Sequence, residues 1–380
     1  MSSKMYQLLM VLLFTLIMAC PTMAADPVRI GALFSVTGPP SFLGEPERNT
    51  AQMVADEINK AGGIAGRKIH LVVYDTQGDP TKANQAATRL IKDDKVSAII
   101  GPSTTGETMA IIPLVEKAQI PLISCAAGVK ITEPVKKWVF KTAQNDALAV
   151  ARIYEHLKKR GINKVAILSV SDGFGSSGRE QLKAQANAHG MQILSDETYG
   201  PKDTDMTAQI TKIRTSQAQA LICWGTNPGP AVVARNFKQL GLQIPLYMSH
   251  GVSSKKFIEL AGTAAEGIVL PSGRVLVASL LPSSDPQKKA LLSFVKGYQN
   301  RYKIEGDHFG GHAWDAMMLL KKAIEKGGDK PAAIRDAIEN TRNFSGIGGI
   351  FNFSAEDHAG LTKDAFVLVE VKNSDWILAK

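Results

Sequence analysis

Short apolar runs alternate along the chain with segments in which apolar residues recur at helical spacing. Such short runs without polar alternation are typical of strands that are buried on both faces of a parallel sheet. From residue 28 onward the pattern therefore predicts a doubly wound α/β unit in the order βαβαβαβ. Its predicted strands are 28–34, 69–74, 98–100 and 122–124, and its predicted helices are 50–60, 80–92 and 106–118.

The same pattern begins again near residue 147 and predicts a second α/β unit with its own sheet. Its predicted strands are 165–170, 192–197, 220–224 and 246–248, and its predicted helices are 147–160, 178–189, 207–215 and 231–240. Segments 257–261 and 268–270 close the unit. Three more helices, 285–302, 311–326 and 330–340, precede a hairpin at 348–353 and a last strand at 365–371. Because helices that follow the second sheet most simply return to cover the first, we predict two discontinuous lobes. The first lobe comprises 27–143 with 272–361, and the second comprises 144–271 with 362–380.

The first 24 residues have the features of an export signal. Lys4 precedes an apolar run, and small residues up to Ala24 offer a cleavage site. The apolar run is shorter than the roughly 20 residues that span a bilayer. We therefore expect cleavage after Ala24 and an exported, soluble mature protein. Lipid attachment at Cys20 is the alternative, although Met18 and Pro21 fit a lipid-attachment motif poorly.

Charge and cysteine content exclude some classes of protein. The formal net charge is +9, but basic residues form no block and aromatic residues, only 6% of the chain, do not interleave with them. We therefore expect no nucleic-acid partner. Cys125 and Cys223 both follow apolar strands. They are predicted to be buried free thiols, although an oxidising compartment would permit a disulfide between them.

Motifs for catalysis are missing from the sequence. It contains no phosphate-binding loop, no dinucleotide glycine spacing and no nucleophile elbow. His308 and His312 are four residues apart, as zinc ligands on one helix face are, but two glycines separate them and we expect a solvated loop there. The sequence therefore predicts a protein that is not an enzyme and that has no cofactor and no metal.

Candidate binding residues follow the predicted strands, because ligands of open α/β sheets bind beyond the carboxyl ends of strands. Residues 101–106 leave one strand and enter a helix with Thr105 as the expected N-cap. Free N–H groups there favour a carboxylate, although a simple hydroxyl cap explains the pattern equally well. Small residues at 124–128 let a ligand approach the backbone. Phe174 lies between glycines after another strand and is either buried or turned toward a ligand.

Several segments resemble the substrate-binding proteins of ABC importers of the branched-chain amino-acid class, which are type I periplasmic binding proteins. They include Glu57-Ile58-Asn59-Lys60-Ala61-Gly62-Gly63-Ile64, Ile100-Gly101-Pro102, Ile120-Pro121-Leu122-Ile123-Ser124 and Asp172-Gly173-Phe174-Gly175. This resemblance implies two doubly wound α/β lobes that are joined by a three-strand hinge. The two lobes are expected to close on a ligand. It also implies a monomer that delivers the ligand to an ABC permease in the inner membrane. An exported ligand sensor for a membrane receptor is the alternative.

The resemblance also suggests the binding residues. Thr105 and the backbone of Ala126 and Gly128 match the family's cradle for the ligand carboxylate and ammonium. Relatives that bind amino acids usually carry a hydroxyl residue at Gly128, a tyrosine at Phe174 and an acidic residue at His250. His250 is therefore either a ligand contact or an ordinary structural histidine.

These departures indicate a ligand without an ammonium group, because a buried ammonium needs an anion or several acceptors. We expect a small carboxylate with an apolar or aromatic body, in a pocket lined partly by Trp224. The alternative is a branched-chain amino acid held through backbone carbonyls and water. The predicted ligand-binding residues are Leu43, Thr104, Thr105, Ala126, Gly128, Phe174, Thr226 and His250.

Overall fold

A computed structural model describes residues 26–379, so the predicted export signal and Cys20 lie outside the described residues. The first sheet has five parallel strands in the order β2-β1-β3-β4-β5. These strands are β1 Val28–Phe34, β2 Ile69–Asp75, β3 Ala98–Ile100, β4 Leu122–Ser124 and β5 Val139–Lys141. Strand β5 was not predicted, because it is short and ends in a lysine.

Three helices connect the strands of the first sheet: α1 Ser41–Lys60, α2 Pro80–Lys92 and α3 Thr105–Ala118. Helix α1 begins well before the predicted start at residue 50, and it contains Pro46, whose ring usually disfavours a helix interior. The helix ends as predicted, because Gly62 and Gly63 follow with φ of 105° and 85°. A side chain at Gly63 would lie 2.1 Å from the carbonyl oxygen of Arg67, where the chain turns toward β2.

The second sheet has seven strands in the order β14-β13-β10-β9-β8-β6-β7. They are β6 Lys164–Val170, β7 Gln192–Tyr199, β8 Ala220–Trp224, β9 Leu246–Met248, β10 Val269–Ser272, β13 Val367–Lys372 and β14 Asp375–Leu378. Strands β13 and β14 pair antiparallel at one edge, and the others are parallel. The pattern analysis missed β14. The helices of this unit are α4 Asp146–Lys159, α5 Gly173–Ala186, α6 Thr207–Thr215, α7 Gly229–Gln239 and α8 Lys255–Ala261.

The chain then returns to the first sheet through α9 Lys288–Tyr302, α10 His308–Gly327, α11 Pro331–Glu339 and the hairpin of β11 Phe344–Ser345 and β12 Ile350–Phe351. Helix α10 packs on α1 and on the core of the first sheet through Ala316, Leu320 and neighbouring residues. From α9, Tyr302 donates a hydrogen bond of 2.7 Å to the carbonyl of Asn49 in α1. Helix α10 therefore covers the first sheet, and α9 contacts α1 beside it.

Three connections join the two lobes within residues 26–379: one after β5, one after β10 and one before β13. The predicted fold of two doubly wound α/β lobes with an interlobe hinge is therefore confirmed. Cys125 and Cys223 are buried and free, in different lobes, as predicted. No helix in the described part of the chain is long and apolar enough to cross a membrane.

Candidate functional site

A cleft with a volume of about 840 Å³ lies between the lobes, at the carboxyl ends of both sheets. Seven of the eight predicted ligand-binding residues line it: Leu43, Thr104, Thr105, Ala126, Phe174, Thr226 and His250. Sequence reasoning therefore located the cleft, although it missed several of the polar groups that line or support it.

Gly128, the eighth predicted residue, is not among the cleft-lining residues. Its N–H donates a hydrogen bond of 3.3 Å to Oγ1 of Thr105. A Cβ atom at this position would lie 2.4 Å from Cγ2 of Thr105. Gly128 therefore contacts Thr105 directly, and a side chain at position 128 would displace that of Thr105.

Helix α3 points its N-terminus into the cleft. The N-cap is Thr104 and not Thr105 as predicted, because Thr104 forms a capping box with Glu107. Its hydroxyl donates to Oε2 of Glu107 at 2.7 Å and accepts from the Glu107 N–H at 3.3 Å, so Thr104 is fully engaged. The hydroxyl of Thr105 only accepts, from Gly128, and its proton is left for a ligand. The N–H groups of Thr105 and Gly106, in the first turn, have no intrahelical partner.

The backbone around Ala126 is largely engaged by the protein itself. The Ala126 N–H donates to Oγ of Ser124 at 3.1 Å. The carbonyls of Ala127 and Gly128 accept hydrogen bonds from Nζ of Lys141 at 2.8 and 3.2 Å. Lys141 is fully buried at the end of β5. An ammonium of the protein thus occupies the carbonyl of Gly128, whose backbone the resemblance assigns to the ligand.

Asp146 accompanies Lys141 as a second buried ionisable group below the cleft. Burial lowers the pKa of Lys141 to about 8, although the negative charge of Asp146 opposes this shift. Burial also raises the pKa of Asp146 to about 7, against the charge of Lys141. No sequence pattern indicates this pair, because Asp146 resembles any acidic residue in the first turn of a helix.

An aromatic wall forms the side of the cleft that belongs to the second lobe. Phe174 lines the cleft, and its ring centroid lies 5.9 Å from that of Trp224 and 5.4 Å from that of His250. Trp224 is fully buried behind Phe174 and does not line the cleft, so its predicted place in the pocket was wrong. Its ring packs against Gly178, where a Cβ would lie 2.1 Å from ring atoms.

His250 lines the cleft and is only 3% exposed. Its Nε2 lies 3.5 Å from Oδ1 of Asp146, and its ring contacts those of Phe174, Trp224 and Phe366. Neither ring nitrogen has a hydrogen-bond partner among the described residues. Burial holds the pKa of His250 well below its ordinary value, and the charge of Lys141 lowers it further, so the imidazole is neutral.

Asp172 is a cleft-lining carboxylate that the sequence analysis did not single out as a ligand contact. It is the N-cap of α5, where Oδ1 accepts a hydrogen bond of 2.8 Å from the N–H of Gly175. Burial raises its pKa above the usual value for an aspartate.

His308 and His312 lie side by side in the first turns of α10, with ring centroids 4.5 Å apart. Each is 2% exposed, so the predicted solvated loop was wrong. The intervening Gly310 and Gly311 are part of the helix, which packs closely against its neighbours there. A Cβ atom would lie within 3.0 Å of Thr50 if added to Gly310, and within 3.0 Å of Ile347 if added to Gly311. The described residues contain no group of three or more side chains that could hold a metal ion.

Several direct contacts join the two lobes. The Val129 N–H donates to Oγ of Ser177 at 3.1 Å in a buried position, and Lys130 pairs with Glu180 at 2.8 Å near the surface. The backbones of Gly106 and Gly173 also meet, since a Cβ on Gly173 would lie 3.1 Å from the Gly106 nitrogen.

Known proteins resemble the chain over most of its length. The family model for periplasmic binding proteins matches residues 27–375. A leucine-, isoleucine-, valine-, threonine- and alanine-binding protein of Pseudomonas aeruginosa is 27% identical over 320 residues, which is 83% of each chain. A Leu/Ile/Val-binding protein of Rhizobium johnstonii is 27% identical over 313 residues, or 82% of each chain.

Solved structures agree with this relationship. An extracellular ligand-binding receptor from Rhodopseudomonas palustris HaA2 is 29% identical, with a TM-score of 0.87 over 93% of this chain and 100% of its own. A leucine-binding protein from Thermotoga maritima is 25% identical, with a TM-score of 0.84 over 93% of this chain and 98% of its own. The resemblance found in the sequence is confirmed, and the chain belongs to the periplasmic binding protein family.

Proposed function

We propose that the protein is an exported receptor of an ABC importer that closes its lobes on a small carboxylate with an apolar or aromatic body. The observation that carries this proposal is the position of Lys141, whose ammonium donates to the carbonyls of Ala127 and Gly128. In this proposal the protein is a periplasmic monomer that binds without catalysis or cofactor and hands its ligand to a membrane permease.

The carboxylate end of the ligand is assigned to the N-terminus of α3. The Thr105 hydroxyl proton and the N–H groups of Thr105 and Gly106 are three donors in the first turn. The positive end of the helix dipole adds to their attraction for an anion. The charge of Lys141, held just behind these residues, acts in the same direction.

The body of the ligand is assigned to the wall formed by Phe174 and to Leu43 across the cleft. Phe174 accepts no ordinary hydrogen bond, and His250 is neutral. An ammonium group held by Phe174 and His250 alone would lose its water without regaining an anionic partner, which costs several kcal/mol. An apolar or aromatic body has no charged group that must lose its water, so it does not carry this cost.

A branched-chain amino acid is the second candidate, because Asp172 places a carboxylate at the cleft and the relatives named above bind such amino acids. Asp172 already caps α5 and its pKa is raised, both of which weaken it as a partner for an ammonium. A role as ligand sensor for a membrane receptor remains the third candidate. Two permease and two ATPase genes beside this one would favour import.

Isothermal titration calorimetry of ligand-stripped protein with leucine and with benzoate distinguishes the first two candidates. We expect benzoate-type acids to bind and Thr105→Val to weaken them at least about tenfold, or about 1.4 kcal/mol. Thr88→Val, on α2 away from the cleft, is the matched control. Submicromolar leucine binding without a response to aromatic acids would refute the proposal.

The lobe boundaries are proposed as 27–143 with 272–361 and 144–271 with 362–380. The support is that each boundary falls at or near a connection where the chain passes from one sheet to the other. Hydrogen exchange with and without ligand should show its largest change at these connections and at the cleft.

A further inference from the structure

Several buried polar atoms at the floor and second-lobe side of the cleft have no hydrogen-bond partner within residues 26–379. Four cleft-lining side chains carry such atoms: Tyr199, Asn227, His250 and His312. Each of them is at least nine-tenths buried. Buried polar groups in native proteins are nearly always paired, so these atoms point to a partner that arrives with the ligand.

His250 shows what kind of partner is needed. Its Nε2 lies 3.5 Å from Oδ1 of Asp146, and the ionised form of this carboxyl favours the tautomer with the proton on Nε2. Nδ1 is then the unprotonated nitrogen, which can only accept a hydrogen bond. His250 lines the cleft and Asp146 does not, and on this ground we infer that Nδ1 lies on the ligand side of the ring.

Nδ1 of His250 receives no hydrogen bond from the described residues. The rings of Phe174, Trp224 and Phe366 surround the imidazole at centroid distances of 5.2 to 5.8 Å. His312, whose Nδ1 is also unpaired among the described residues, lies close enough to interact electrostatically with His250. A hydroxyl group fits this place, since it donates one hydrogen bond and accepts others.

We propose that the ligand carries a hydroxyl group on its aromatic body, distant from its carboxylate, and that this hydroxyl donates a hydrogen bond to Nδ1 of His250. This inference rests on the proposed function and narrows its ligand class to hydroxylated aromatic acids. A second carboxylate at this end is disfavoured by the nearby acid Asp146, and an ether lacks the required proton.

The test compares matched ligands by calorimetry on the full mature protein. The ligands are benzoate, 4-hydroxybenzoate and 4-methoxybenzoate, together with 3-phenylpropanoate and its 4-hydroxy counterpart to vary the reach across the cleft. In the native protein we expect at least one hydroxy acid to bind about tenfold or more tightly than its unsubstituted and methoxy analogues. His250→Phe should reduce this preference to less than about threefold, and His250→Gln, which keeps an acceptor, should retain part of it.

Two other outcomes would overturn the inference, and a third would refute the proposed function. An equal affinity for hydroxy, methoxy and unsubstituted acids in the native protein overturns the inference without need of a variant, and indicates that water alone pairs with His250. A hydroxyl preference that survives in His250→Phe also overturns it. If no aromatic acid binds and leucine does, the proposed function itself fails, which is a different result from the loss of the hydroxyl preference alone.

Discussion

The backbone N–H of Val129, in the first lobe, donates a hydrogen bond of 3.1 Å to the hydroxyl of Ser177, on helix α5 of the second. The bond is buried and joins the two lobes, so it exists only while the lobes are together. Its strength therefore adds to the free energy of ligand binding, because ligand and closure are coupled.

Replacement of Ser177 by alanine should weaken ligand affinity about fivefold, since a buried hydrogen bond contributes about 1 kcal/mol. Titration calorimetry against the native protein measures this change. Ser176→Ala, at the neighbouring exposed position of the same helix, is the control. Equal affinities for the native protein and Ser177→Ala would show that the bond does not contribute to closure.

Gly173 provides a steric test of the proposed carboxylate site. A Cβ at this position would lie 3.1 Å from the Gly106 nitrogen, on the opposite lobe. Gly173→Ala should therefore keep α3 and α5 apart and lower ligand affinity about tenfold or more, with little change in the melting temperature of the unliganded protein.

The control for Gly173→Ala is Gly297→Ala on α9, where an added methyl meets open space. That variant should bind normally and gain slightly in stability, because alanine favours a helix interior by up to about 1 kcal/mol over glycine. Normal binding by Gly173→Ala would place the ligand away from the α3 terminus.

His308 makes the free energy of unfolding depend on pH, and comparison with a variant separates its contribution from those of other groups. Burial lowers the pKa of His308 to about 3, whereas an unfolded histidine titrates near about 6.5. Between these values the unfolded chain binds a proton that the folded protein does not, so stability falls as pH falls. Buried acids such as Asp307, whose pKa burial raises to about 7, act in the opposite direction, and a variant comparison is therefore required.

We expect the free energy of unfolding of the native protein to fall by about 2 kcal/mol relative to His308→Gln between about pH 6.5 and pH 5. Urea denaturation at both values measures the difference. The same substitution at exposed His70 controls for the loss of one histidine. A native-to-variant difference that stays constant with pH would mean that buried His308 takes up its proton in the folded state.

Local patterns predicted the scaffold well. The bounds of α2, α6, β8 and β9 agree with the prediction, because apolar periodicity and end signals act within a few residues. Strand β5 was missed because it is short and carries Lys141. The start of α1 was missed because Pro46 interrupts the helical pattern, and nothing local reveals that the helix continues through it.

The site was only partly predictable. Thr105, Phe174 and His250 were predicted because they lie in loops that follow strands, and the fold determines where such loops converge. Lys141 and Asp146 were not found, because their role depends on partners brought near by the fold and not on any sequence spacing. The assignment of the N-cap to Thr105 instead of Thr104 shows the usual uncertainty of one residue at a helix end.

The central claim is that the cleft binds a carboxylate and has no place for an ammonium. Leucine and 4-methylpentanoate, which is leucine without its amino group, differ in that feature alone. Calorimetric titration of ligand-stripped protein with both compounds therefore tests the claim most directly. The account predicts that 4-methylpentanoate binds at least as tightly as leucine, and tight binding of leucine with none of 4-methylpentanoate would contradict it.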